Sequence, residues 1–163
     1  MGLEEKLKGY KKSVFAGQLI GGVPATYAAV SNADKIAKYI PGLEPIVNTE
    51  NGLIAVGMGS NFVGDQIGTA LSLLYFNWKN YKGISGKFRF IKDYANIAIR
   101  HLGSYVITYP LAYLTTKLVL ATGLLTGVWA YTIPYLLESA ITGLGYIAST
   151  MGYRRRTAFS HAT

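Results

Sequence analysis

The sequence contains no cysteine. Disulfides, thiolate catalysis and thiolate-held metals are thereby excluded, and the redox compartment is not legible. Histidine is scarce as well, with His101 in the body of the chain and His161 in its tail. One copy cannot supply a His-rich metal site, and neither metal nor cofactor is expected. Charge is missing over long stretches. No charged residue occurs from Ser13 to Ala33, nor from Leu118 to Leu137. Each run matches the roughly 20 residues that a bilayer-spanning helix needs, whereas a soluble helix of that length would show a charged face.

Catalytic signatures are also lacking. Gly83-Ile-Ser-Gly86-Lys87 is too short for a phosphate-binding loop, and Gly57-Met-Gly59 lacks the third glycine of a dinucleotide fingerprint. There is no HExxH, GxSxG, CaaX ending or Asn-x-Ser/Thr sequon. Lys6 occupies the position where a myristoylation signal needs Ser or Thr. An enzyme is therefore not expected.

What remains is an apolar, basic chain of 163 residues with a formal net charge of +8. In a soluble protein such a balance would suggest nucleic acid. Here the basic residues sit in short segments between apolar runs, without a basic face interleaved with stacking aromatics, so no nucleic-acid partner is expected. Lys6, Lys8, Lys11 and Lys12 precede an apolar run ending Ala29-Val30-Ser31, a pattern shared with secretory leaders. We read it as a retained first membrane helix.

The resulting expectation is an all-α, integral membrane four-helix bundle in one domain, with both termini inside. The helices are expected at about 13–30, 52–78, 94–121 and 128–150, with a basic tail over 151–163. The third and fourth are joined as a hairpin through the short segment 123–127. Gly17 and Gly21 form a GxxxG pair, and Ser60, Gly64, Gly68 and Ser72 repeat every four residues. Such small-residue seams allow close helix packing, within one chain or between copies. Residues 31–50 read as a polar outside loop, opened by a short amphipathic helix around Ile36 and Tyr39 and broken by Pro41-Gly42 and Pro45. Residues 79–92 read as an inside loop with Gly83 and Gly86 at its turn. Pro110 predicts a kink, and Tyr105, Tyr109 and Tyr113 line up on one face of the third helix.

Basic residues support this topology. The N-terminus, the 79–92 segment (Lys79, Lys82, Lys87, Arg89, Lys92) and the tail (Arg154, Arg155, Arg156) would share the cytoplasmic side, while the 31–50 loop carries only Lys35 and Lys38. The expected location is the plasma membrane, multi-pass. The Lys79–Lys92 loop is a candidate for anionic lipid.

Two carboxylates fall at membrane depth, Asp65 and Glu138, roughly 20 and 15 Å along their helices. A charge there costs at least about 2.5–3.5 kcal/mol, so each requires an explanation. Asn61, Asp65, Gly68 and Ser72 share one stripe. Tyr131, Tyr135, Glu138, Thr142, Gly145 and Ser149 share another. In the functional reading, Asp65 and Glu138 bind protons, cations or a substrate in a translocation path, with Asn61, Tyr135, Thr142 and Gln18 supplying hydrogen bonds. In the structural reading they only fasten helices, Asp65 to Arg100 or His101 and Glu138 to Lys117. Arg100 and Lys117 are also placed to snorkel toward the interfaces.

Function follows at the level of class. The first expectation is a small transporter or channel subunit moving a small solute or ion. It would act as a homo-oligomer, because four spans enclose little volume, with the glycine seams as the contact between copies. The alternative is an accessory or scaffold subunit of a larger membrane complex. A lipid-modifying enzyme ranks third, since only Asp93 with Arg100 and His101 approaches a suitable cluster.

Overall fold

The computed structural model describes residues 12–141, apart from the side chain of Arg100. All regular structure among the described residues is helical. The part of the fourth expected helix beyond residue 141, with Thr142, and the basic tail lie outside the described residues.

The first helix, α1, runs Lys12–Ser31. Among the described residues it is the one helix long and apolar enough to cross a membrane. It contains a wider, π-type turn at Gln18–Gly22, where the Val23 N–H reaches back to the Gln18 carbonyl. Gly21 and Gly22 bring no Cβ to oppose that winding, and Pro24, which has no N–H to donate, follows directly.

The 31–50 segment is more ordered than a loop. It forms two short helices, α2 (Ala33–Ala37) and α3 (Glu44–Val47), and Ala33, Ala37 and Val47 pack together as an apolar plug. α4 then runs Glu50–Asn77. Thr49 caps it by accepting from the Gly52 N–H at 3.0 Å, one of the donors a helix start leaves unsatisfied.

The 79–92 segment departs from expectation. After a tight turn at Trp78–Tyr81, α5 begins at Gly83 and continues to Thr122. The basic stretch is therefore helical. Gly83 belongs to the turn through its left-handed backbone (φ +72°). Gly86 is needed because a Cβ there would strike the Tyr81 backbone. The other residues, rich in Lys, Arg, Phe and Ile, have no reason to break a helix. α5 also passes through Pro110 without ending. It closes at Gly123 (φ +65°), and a short connection leads into α6, residues 128–141.

α4 holds the centre. Against α1 it packs through glycine: a Cβ on Gly21 would overlap the Gly64 carbonyl, one on Gly64 that of Gly21, and one on Gly68 that of Gly17. Both small-residue seams are thus used within the chain, and the expected role of these glycines as the contact between copies is corrected. They cannot lie against another molecule and against each other.

Against α5, α4 is laced by tyrosines. Tyr94 donates to Gln66 Oε1 at 3.0 Å, Tyr105 to Asp65 Oδ2 at 2.9 Å, Tyr109 to the Met58 carbonyl at 3.3 Å and Tyr113 to Asn51 Oδ1 at 3.3 Å. Numbers rise on α5 as they fall on α4, so the two run antiparallel. α6 closes on both neighbours, through Tyr135 to the Ile54 carbonyl at 3.1 Å and through Glu138 to Thr108 at 2.7 Å. Tyr27 and Trp129 join α1 to α6, ring centroids 5.1 Å apart.

The interior is apolar at its ends and polar between them. Val14, Leu73, Tyr81 and Ile97 fill one end; the Ala33–Ala37–Val47 plug caps the other. The exterior is aliphatic. Val63, Ile67 and Leu71 point outward along α4 at steps of four, and Ile99, Leu102, Val106 and Ile107 on α5 and Leu137 and Ile141 on α6 are exposed as well.

Candidate functional site

Between the two apolar ends, α1, α4, α5 and α6 turn polar side chains inward. On α4, Asn61, Asp65 and Thr69 stand at steps of four, which places them on one helical face. All three are fully buried or nearly so (0, 0 and 1 % exposed). They look toward α1 at its π-type turn. A Cβ on Gly22 would overlap Asp65 Oδ1 and crowd the Asn61 amide, and one on Gly17 would overlap Thr69. The two glycines are what make room for polar α4 side chains under α1.

Asp65 is held from the far side by Tyr105 on α5. Its other oxygen, Oδ1, has no side-chain partner and lies against the Gly22 backbone. Neither end of the Asn61 amide meets a hydrogen-bond partner, and the same holds for Thr69 Oγ1 and Gln18 Oε1. Gln18, fully buried on α1, brings its amide nitrogen to 3.4 Å from Nε2 of His101. His101 packs beside Tyr105, ring centroids 5.7 Å apart. The expected pairing of Asp65 with His101 is therefore replaced by Asp65 with Tyr105 and His101 with Gln18. The side chain of Arg100 lies outside the described residues.

A second carboxylate lies nearby on α6. Glu138, 2 % exposed, accepts from Thr108. It is near enough to Asp65 for the two charges to interact. Tyr135, fully buried on the same helix, donates to the Ile54 carbonyl on α4. An open cleft of about 100 Å³ between α5 and α6, lined by Leu111, Ala112, Thr115, Pro134, Leu137 and Ile141, reaches Glu138.

Lys117 is not part of this interior. Its ammonium pairs with Glu50 at the start of α4 and sits 5.9 Å from the centre of the Tyr113 ring. The expected pairing of Lys117 with Glu138 is thus corrected. α5 carries Lys117 level with the loop end of α4, more than two turns beyond Thr108, where Glu138 binds. The seam residues also divide by role. Gly17, Gly21, Gly64 and Gly68 form the α1–α4 contact. Ser60 bonds to the Val56 and Gly57 carbonyls of its own helix, and Ser72 is half-buried.

The structure thus brings Gln18, Asn61, Asp65, Tyr135 and Glu138 into one interior. It adds Thr69, Tyr105 and Thr108, which the sequence reading did not count as site residues. Thr69 carried a signal, since it continues the four-residue spacing of Asn61 and Asp65. Thr108 carried none, because its relation to Glu138 depends on how α6 docks. Among the described residues, no group of three or more His, Asp or Glu side chains converges as a metal site. In comparisons with known proteins, the chain matches no family model, no curated sequence and no solved structure.

Proposed function

We propose that this chain is a four-span membrane protein, a transporter or channel subunit for a small solute or ion, with Asp65 and Glu138 in its path. The observation that carries the reading is the inversion of polarity. Asp65, Asn61, Gln18, His101, Thr69, Thr108 and Glu138 are buried, while Ile67, Leu71, Val106 and Ile107 are exposed. Water favours the opposite arrangement, with charged residues almost never fully buried. In lipid, intramembrane ionisable groups face the interior or a cavity. A helix averaged over both faces loses apolar character when its inner face is polar, as the inner faces of α4 and α5 are.

Length supports the same reading. At about 1.5 Å per residue α5 extends roughly 60 Å, about twice the hydrocarbon thickness. Its first turns, with Lys87, Arg89 and Lys92, would then project beyond the hydrocarbon on the cytoplasmic side, where they suit anionic lipid. The protein works in the plasma membrane as a homo-oligomer, joined through its aliphatic faces.

The test is native mass spectrometry of the gently solubilised complex, followed by flux in vesicles. A homo-oligomer whose flux is lost in Asp65→Asn and Glu138→Gln, with folding intact, is the expected result. Stoichiometric foreign subunits would overturn it in favour of an accessory or scaffold subunit. One observation favours that alternative: both carboxylates already accept a hydroxyl from α5, an arrangement that also suits simple helix fastening.

A further inference from the structure

We infer that the cleft between α5 and α6 binds a small alkylammonium ion, its charged head against Glu138 and its alkyl body between the two helices. This rests on the transport reading and names the substrate class for its second carboxylate.

The cleft is built from two helical faces. Pro134, Leu137, Glu138 and Ile141 stand at the three- and four-residue steps of one α6 face, opposite Leu111, Ala112 and Thr115 on α5. Glu138 reaches across to Thr108, one turn before Leu111 and Ala112, and so closes that end. Thr115 lies toward the other end, two turns and about 10 Å from Thr108 along α5. The walls between are aliphatic. Leu111, Leu137 and Ile141 are also half-exposed on the outer surface. The cleft therefore opens onto the face that the transport reading places in lipid, and its occupant enters from the bilayer with an apolar body.

The lining selects the head. Among the residues that line the cleft, Glu138 alone is ionisable. As a carboxylate it only accepts hydrogen bonds, and its two oxygens have room for more than the Thr108 hydroxyl. Thr115 gives its proton to the Leu111 carbonyl at 2.8 Å. Lys117, two residues further on, is paired with Glu50. An anionic ligand would thus find no side-chain donor in the lining. An alkylammonium brings three donors and no acceptor, and its bond to a carboxylate is charge-assisted. A bare acyl chain would fill the walls but leave Glu138 facing hydrocarbon, where an ionisable group is costly.

Size sets the rest. The cleft holds about 100 Å³, against about 150 Å³ for a closed cavity that accepts benzene. A slender, unbranched chain fits; a polycyclic cation does not. Extended hexylammonium matches the roughly 10 Å that separates the Glu138 end from Thr115.

The experiment is thermal unfolding of the purified full chain in an uncharged detergent, with hexylammonium chloride, sodium hexanesulfonate or 1-hexanol added at constant ionic strength. The expected result is a melting temperature that rises saturably with hexylammonium and with neither of the others. Glu138→Gln raises the half-saturating concentration at least tenfold, and Leu137→Trp, at the rim of the cleft, abolishes the response. Equal stabilisation by hexanol would overturn the proposal and make the cleft a seat for lipid chains. No response to hexylammonium would overturn it as well. The unaltered chain carries these comparisons, so they stand even if a variant fails to fold. Saturable stabilisation by hexylammonium without flux of any solute in vesicles would refute the transport reading and retain the site. Flux of another solute, with no response to hexylammonium, would do the reverse.

Discussion

The hydroxyl of Tyr105 donates to Oδ2 of Asp65 at 2.9 Å, joining two helices across forty residues of sequence. Removing it leaves a buried carboxyl oxygen without that donor, and an unsatisfied buried polar group costs about 1–3 kcal/mol. Tyr105→Phe should therefore lower unfolding stability by about that amount in a reversible detergent assay. Asp65→Asn retains an acceptor for Tyr105 and should cost less. Equal stability of Tyr105→Phe and the unaltered chain would show that the bond does not hold α4 to α5.

Gly64→Leu tests the seam. A side chain there would displace the Gly21 carbonyl and the Ala25 side chain, so α1 should separate from α4. Overpacking costs typically about 1–3 kcal/mol or more, and protease resistance of α1 should fall. Gly103 is the control, because a Cβ there meets open space. Gly103→Ala should be neutral or stabilise by up to about 1 kcal/mol. If Gly64→Leu changed only the mass of the complex and left the monomer stable, the seam would be a contact between copies after all.

Thr108→Val keeps the shape of the side chain and removes the donor to Glu138. Flux should fall in the same direction as in Glu138→Gln, by roughly tenfold if about 1.4 kcal/mol of positioning is lost. Undiminished flux in both variants would take Glu138 out of the path.

The absence of cysteine makes topology directly measurable with single introduced thiols. Glu44 and Lys87 are both exposed. In Glu44→Cys an impermeant maleimide should label intact cells from outside; in Lys87→Cys it should label only after permeabilisation. Labelling of both from one side would show that α4 does not cross the membrane.

Much of the architecture was legible because it depends on local spacing. The polar stripes through Asn61 and Asp65 and through Tyr135 and Glu138, the Gly17/Gly21 and Gly64/Gly68 seams and the tyrosine ladder of α5 all follow from helical periodicity, which operates within one element. The short connection after Thr122 was equally plain, since Gly123 and Gly127 both take left-handed backbone. The Lys79–Lys92 stretch was misread as a loop because its glycines looked like breakers. Gly86 is there for close approach to Tyr81, a contact between elements that no local pattern reveals.

The sequence by itself determined that the chain is helical, that its outer faces are apolar and that Asp65 and Glu138 fall within long helices, because composition and period need no knowledge of neighbours. Only the tertiary structure decided the partners. Tyr105 and not His101 meets Asp65, Thr108 and not Lys117 meets Glu138, and the glycine seams close on each other. Which side chains meet depends on the rotation and register of whole helices, and several alternatives share the same periodicity; packing geometry selects among them.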